Sequence, residues 1–503
     1  MAVHRQDNVE AKQDRTCSIA SDATIDLETA INKTGCGKFN WMIILLTFPV
    51  AGTSVFVTGS MSYVISVAAP DLDLTATGKA WLQSAPYAGM VVSGYIWGSL
   101  SDAFGRKNLM VIGFLSDFFL NIAAGLIKSL PVILFFKFMS GFMVCGPYSI
   151  FMVYMSEVFS QQHRDMIAQF LGVFTSVGSI IQSGLAMWLI PMVLPDWMPF
   201  KAWQLFTMCG GIPSLLIGLS CFFFYESPKF LVDKGRSERA LSVCRNIFTI
   251  NTGLPRQSFP VNKIYAKNSD SGPNKATCSR VLNEIMDMFR PPYLWKALTV
   301  FVIFIVMFGS QNTLRLWMPE IFTLLQNSSV TDVVGLCPLI AEDRNSIKIT
   351  APKDSVYLSM IVIHCCCLAC HLLFAVTVKC IKRKILLIIT IGVAGGCIFI
   401  VPWITANMSL LPISIYLALY EASIYAFFGA IVQIFPTHLR AKAVSLAMVL
   451  GRAAIFMGNF LLSNVMFTSC DEMFWSLAAG ALCIVIFSLL LSFKPHDDSK
   501  ITE

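Results

Sequence analysis

The stretch Gly98–Lys107, GSLSDAFGRK, decides how this chain is read. It is a short polar turn with two glycines, one acid and two adjacent bases, held between the apolar runs Ala80–Trp97 and Leu109–Ile127. Gly98 and Gly105 permit tight backbone approach. Asp102 is suited to accept from helix N-terminal amides or from a base, and Arg106 to make a forked pair with Glu157, for which Arg164 is another partner. A turn that only set topology would need the bases and neither the acid nor the glycines.

Outward from this turn the chain is built of apolar blocks. It has 503 residues, 55% hydrophobic and 13% charged, about half the charged fraction of a soluble domain. Twelve blocks have the length of about 20 residues needed to cross a bilayer: 41–69, 80–99, 109–128, 131–155, 166–194, 202–225, 296–318, 356–378, 385–404, 410–433, 443–466 and 473–493. These predict an all-α membrane protein with twelve transmembrane helices in two pseudo-symmetric six-helix bundles. The expected organisation is a polar tail 1–38, a first bundle 39–225, a connector 226–295, a second bundle 296–493 with an insertion at 325–355, and a tail 494–503.

The even number of blocks puts both termini on one face. With that face cytosolic, about 28 of the 37 bases are inside and about seven outside, as basic loops require. The net charge of +7 follows from this bias and calls for no nucleic acid. The first 38 residues hold no apolar core beside a cleavage site, so no signal peptide is expected. Of the 16 cysteines, Cys337 and Cys470 alone are expected outside, as one candidate disulfide. Asn327-Ser328-Ser329, in the insertion, is the candidate glycosylation site.

Spacing shows a duplication. Arg106 and Arg383 lie 277 positions apart; Glu157 and Gln433, and Arg164 and Arg440, lie 276 apart, each pair after equivalent blocks. Repeats of this kind are common in carriers.

These features together resemble the major facilitator superfamily, whose turn after the second span reads G-x-L-x-D-x-x-G-R-[RK]; Gly98, Leu100, Asp102, Gly105, Arg106 and Lys107 match it. Tyr225–Leu231 (YESPKFL), Leu316–Pro319 (LWMP) and Ile434–Ala443 (IFPTHLRAKA) are similar to the synaptic vesicle glycoprotein 2 and organic-ion transporter branch. The chain departs from that branch at several points. Ala51–Phe56 in the first span holds no acid, Gln433 stands where an acid is expected, Gln204 follows Trp203 in place of Arg, and the second basic turn lacks the Asp and Gly of the first.

The resemblance implies a non-enzymatic carrier of a small organic solute, ionic or sugar-like, working by alternating access in a vesicle or plasma membrane. The alternative is a vesicle-resident regulatory or receptor protein that keeps the fold without flux. Expected partners are the solute and the bilayer, with the chain as a monomer and no cofactor. The resemblance also implies a cytoplasmic gate of Gly98, Asp102, Gly105, Arg106, Lys107, Glu157, Arg164 and Arg440.

Ionisable groups inside the hydrocarbon are functional candidates. Glu421, Arg452, Gln311, Asn312 and Lys137 are the candidates for the substrate cavity; Glu421, mid-span in span 10, is suited to contact a cation or carry a proton, and Arg452 to hold an anion or to pair with Glu421. Gln311, Asn312 and Arg315 near the outer end of span 7 suit a polar solute. Lys137 is placed to snorkel outward from span 4. Asp117 is read as structural, facing Asn121. His364, Cys367 and His371 share one helical face, but no acid neighbours either histidine in sequence, so no metal site is expected. The connector is expected to be helical at 236–248 and 280–290.

Overall fold

The computed structural model describes residues 24–159, 161–265, 286, 288–291, 293–327, 335–338, 352–435 and 437–491. The spans are Lys38–Ala68, Ala76–Phe104, Arg106–Leu126, Leu130–Val158, Gln161–Leu189, Ala202–Cys209 continued by Ile212–Cys221, Leu294–Asn327, Asp354–Cys380, Arg383–Phe399, Leu410–Ile434, Thr437–Thr468 and Cys470–Leu490, here spans 1 to 12. Eleven of them are long and apolar enough to cross a membrane. The other, span 2, has the length but carries Gln83, Ser84 and Ser93 within its apolar run. Those side chains are buried, so this span faces protein more than lipid.

Several helices outrun the apolar blocks that announced them. Span 7 runs Leu294–Asn327 where the apolar block ends at 318, because a helix does not stop where the hydrocarbon does. Span 6 breaks at Gly210–Gly211, just ahead of Pro213. Phe119, Phe135, Trp188, Leu372 and Leu482 are exposed, as lipid-facing side chains of a bundle are.

The packing repeats with a shift of six. In the first half span 1 packs on span 5, span 2 on span 4, and span 3 on spans 4 and 6. In the second half span 7 packs on span 11, span 8 on span 10, and span 9 on spans 10 and 12. The halves meet through spans 2 and 11, 5 and 8, and 1 and 7, pairs that the same shift exchanges. Spans 2 and 4 approach backbone to backbone: a Cβ on Gly89 would lie 2.0 Å from the Phe138 carbonyl oxygen, and one on Gly141 2.0 Å from that of Pro86.

The amino-terminal tail and the connector are less plain than their polar composition suggests. Strand β1 (Thr24–Asp26) pairs in parallel with β2 (Lys263–Tyr265). Helix Leu27–Lys33 packs beside connector helix Ser237–Thr252 around Ala30, Leu231, Leu241, Cys244, Phe248 and Ile264. Burial there pushes the Cys244 thiol up to about 12, which makes it an inert packing group. The expected helix at 236–248 is present and longer; most of the expected helix at 280–290 lies outside the described residues.

Asn251 ties this small layer to span 1. Its Oδ1 accepts from the Phe39 amide at 3.0 Å, and its Nδ2 donates to the carbonyls of Thr34 (3.2 Å) and Gly35 (3.0 Å) and to Asn40 Oδ1 (2.9 Å). On the opposite face, which bears the insertion, Cys337 and Cys470 form a disulfide with a Cα–Cα distance of 5.4 Å.

Candidate functional site

The GSLSDAFGRK turn is built from two helices and the connector. Span 2 ends at Phe104, and Gly105 turns the chain at φ +95° before span 3 starts at Arg106. A side chain there would be strained, and its Cβ would lie 2.5 Å from Glu226 Oε2. Glu226 Oε1 accepts from the amides of Arg106 (3.0 Å), Lys107 (3.4 Å) and Ser227 (2.9 Å), which satisfies donors that a helix N-terminus leaves open.

Arg106 Nη2 donates to Glu157 Oε1 at 3.1 Å, and Glu157 Oε2 accepts from the Ser227 hydroxyl at 2.6 Å. The guanidinium lies over the Phe230 ring, 5.2 Å from its centroid. Lys107 Nζ donates to the Phe222 carbonyl at 2.7 Å. Arg106 and Glu157 are 7% and 6% exposed, so this pair is far from the solvated surface type. The Arg106–Glu157 and Lys107–Phe222 bonds lie within the first bundle, and the bonds of Glu226 and Ser227 join that bundle to the start of the connector. The side chains of Asp102, Arg164 and Arg440 lie outside the described residues. The amides of Arg106 and Lys107 are capped by Glu226, for which the YESPKFL element is the sequence signal.

Between the bundles, two arginines lie without a carboxylate within ion-pair distance among the described residues. Arg452, halfway along span 11 and 8% exposed, donates to the Cys145 sulfur of span 4 at 2.8 Å. Arg315 of span 7 donates to Asn312 Oδ1 at 3.3 Å. Both lie within electrostatic reach of Tyr87 on span 2. One turn before Tyr87, Gln83 is buried with neither end of its amide partnered. Glu421 of span 10 faces Cys367 and lies near His371 and Tyr425; it forms no ion pair with Arg452 among the described residues. Gln311 is buried in span 7 beside Asn312, whose amide donates to the Phe308 carbonyl at 3.0 Å.

Lys137 does not snorkel. It is wholly buried in the first bundle, where its Nζ donates to Asn121 Oδ1 at 2.8 Å. Asn121 in turn donates to Asp117 Oδ1 at 3.0 Å, and Ser214 donates to Asp117 Oδ2 at 2.5 Å. The lysine is therefore drawn inward by a buried acid that supplies a closer counter-charge than the membrane surface. His364, Cys367 and His371 do share span 8, yet no group of three potential ligands able to hold a metal occurs among the described residues.

The insertion-face closure was not legible beforehand. Glu320, at the end of span 7 and 3% exposed, accepts from Ser66 of span 1 at 2.5 Å and pairs with Lys79 of span 2. Tyr63 of span 1 stacks on Tyr357 of span 8 with centroids 6.4 Å apart, and Trp81 of span 2 meets Phe460 of span 11 edge-on at 4.9 Å. Each contact joins opposite bundles. The available signal was an acid directly after LWMP and a lysine just before the second apolar block. Asn327 is the last described residue of span 7, and its side chain lies outside the described residues.

The fold and site define a twelve-helix, two-bundle membrane protein with a polar centre between the bundles. The chain belongs to the major facilitator superfamily, whose profile matches residues 47–459. Among curated proteins it is 26% identical to human synaptic vesicle glycoprotein 2C over 60% of this chain and 45% of that protein. It is 25% identical to rat synaptic vesicle glycoprotein 2B over 60% and 48%. The chain thus spans about half the length of the curated relatives it matches. Among solved structures, the partially occluded inward-open xylose transporter XylE from E. coli superposes with a TM-score of 0.66 at 15% identity, covering 90% of this chain and 99% of that one. A crystal structure of a D-xylose-proton symporter gives 0.62 at 16%, covering 92% and 99%.

Proposed function

We propose that this protein is an alternating-access carrier of a small organic solute, and that the solute is an anion held between the bundles by Arg315 and Arg452. The observation that carries this reading is the pair of arginines without a carboxylate within ion-pair distance among the described residues. A buried guanidinium left uncompensated is unfavourable by several kcal/mol, and a thiol is a poor counter-group for it. A carboxylate on the solute would supply the missing charge, and Gln83 and Tyr87 would take its hydroxyl or carbonyl groups. The fold is shared with a xylose transporter and a D-xylose-proton symporter, which supports a small organic solute.

In this reading the connector face is cytosolic, in line with the excess of basic residues there. The Cys337–Cys470 disulfide on the other face supports that assignment, because disulfides persist in oxidising compartments. The contacts of Glu320 close the extracytosolic side, and the GSLSDAFGRK cluster stiffens the cytosolic end of the first bundle as it moves.

The test is counterflow in proteoliposomes with a panel of lactate, benzoate, succinate, choline and xylose. The anions should exchange and the others should not, and Arg315→Gln and Arg452→Gln should each cut anion exchange at least tenfold. Exchange of choline or xylose with no effect of the arginine changes would overturn the anion assignment. No exchange of any member would overturn the carrier.

A further inference from the structure

We infer that the first bundle holds a zwitterionic phospholipid at its end on the insertion face, with the lipid phosphate at Lys128, its ammonium at Asp196 and its chains against the loop between spans 5 and 6. The site is separate from the space between the bundles and does not depend on what the protein carries.

A cavity of about 570 Å3 opens at this end, within the roughly 300–1,000 Å3 of small-molecule sites. Span 1 and the turn after it supply Val67 and Asp71, the link between spans 3 and 4 supplies Lys128, the loop between spans 5 and 6 supplies Asp196 and Lys201, and the first turn of span 6 supplies Trp203. Hydrogen bonds fix these walls. The Trp203 indole nitrogen donates to Asp71 Oδ2 at 2.9 Å, and Lys201 pairs with Asp71 Oδ1. Gln204, wholly buried, accepts from the Lys201 amide at 2.8 Å and donates to the carbonyls of Gly125 at 2.7 Å and Ile127 at 3.4 Å. The segment that bears Lys128 is thereby tied to the one that bears Lys201. An arginine at position 204 could donate to the carbonyls but could not accept from the amide, so the glutamine is what joins the two walls.

The charges left over name the ligand class. Asp71 has both oxygens engaged, and Lys201 already meets its charge. Lys128 and Asp196 are exposed, and neither forms an ion pair among the described residues. One free cation and one free anion on the wall of one cavity complement a headgroup with one phosphate and one ammonium. A headgroup of net negative charge would meet Asp196 with nothing to offset the repulsion. The rim says that the headgroup carries chains. Val193 is 97% and Trp197 77% exposed, in a loop punctuated by Pro191, Pro195 and Pro199 that forms neither helix nor strand. Large apolar groups at the end of a bundle belong to the interfacial layer of the bilayer. Met192, Leu194 and Phe200 add apolar lining to the cavity. A soluble zwitterion would leave this surface in water, whereas the glycerol backbone and chains of a lipid would cover it.

The test is lipid retention by the full chain, purified in detergent and read by native mass spectrometry. The probes are dioleoyl phosphatidylcholine, phosphatidylethanolamine and phosphatidylglycerol, and glycerophosphocholine as the headgroup without chains. The two zwitterionic lipids should be retained above phosphatidylglycerol and above glycerophosphocholine. Lys128→Gln should lower their retention about three- to fivefold, the worth of one exposed ion pair. Asp196→Asn should remove their advantage over phosphatidylglycerol. Val193→Ser with Trp197→Ser should weaken retention of all three lipids. These four side chains are exposed, so the variants should keep the melting temperature of the parent. Preferential retention of phosphatidylglycerol, or equal retention of the three lipids unaltered by Lys128→Gln, would overturn the site. Glycerophosphocholine held as firmly as the lipids would overturn the lipid as its occupant.

Discussion

Replacement of Glu320 by Gln is the most direct way to unbalance the closure on the insertion face. The carboxylate holds two first-bundle groups at once, the Ser66 hydroxyl and the Lys79 ammonium. The side chains of Lys79 and Glu320 are only 17% and 5% exposed, so water screens the pair weakly. Bonds to charged partners contribute about 1.5–3 kcal/mol each, and an amide in place of the carboxylate keeps part of the geometry but none of the charge. The loss should be about 1.5–2 kcal/mol of preference for the state closed on this face, about a 10–30-fold shift between closed and open populations. Spin labels at Asp73, after span 1, and Asp354, at the start of span 8, would report it by dipolar distance measurement. Glu320→Gln should transfer population to a longer distance. Lys79→Met should do the same, and the double variant should be no worse than either single one. Distance distributions unchanged by either substitution would refute the closure.

Four further outcomes follow from the geometry. Asn251→Ala removes four hydrogen bonds between the connector helix and the start of span 1; amides at 34–41 should exchange at least tenfold faster, with the melting of the bundles little changed. Lys137→Met leaves the Asp117 carboxyl buried without its base and should destabilise by about 3–5 kcal/mol, whereas Lys137→Met with Asp117→Leu should recover most of the melting temperature. Arg106→Ala should leave Glu157 buried and unpaired, costing about 3 kcal/mol or more in stability, and should reduce anion exchange strongly; unchanged exchange would remove the turn from the transport cycle. Cys337→Ser should lower the detergent melting temperature by several degrees, and a reducing agent should then have no further effect.

The class of fold was legible because it depends on block length and on spacing. Twelve apolar blocks and three residue pairs at offsets of 276 or 277 imply two bundles, and the packing pairs repeat with a shift of six spans. Contacts were legible where a motif carried them, as at Gly105, Arg106 and Glu157. They were not legible where a bond spans distant parts of the chain. Ser66, Lys79 and Glu320 lie up to 254 positions apart, each at an apolar-block edge where charges are ordinary. Lys137 was misjudged because the buried Asp117 and Asn121 pull it inward, and only packing shows on which side of span 4 they stand. The layer at β1 and β2 went unseen for a different reason: three-residue strands have no period to detect.

Lysines at one offset show how the duplication survives after its motif has decayed. Lys107 donates to the Phe222 carbonyl just past the end of span 6. Lys384, 277 positions on, donates at 2.8 Å to the carbonyls of Leu489 and Leu491 at the end of span 12. Both cations sit at helix C-termini, where open carbonyls and the helix dipole favour positive charge. That task needs only a base at the start of the third span of each half, so it persisted when the second turn lost its acid and glycines. The Arg106–Glu157 pair needs more: a glycine at the turn, Glu226 to cap the helix and an acid after span 4. The second half carries Gln433 at that last position, and among the described residues a carboxylate clasp of this kind occurs in the first bundle. The two halves thus share a way of tying the third span to the sixth. They differ in the charged bond to the fourth, which among the described residues is made in the first bundle.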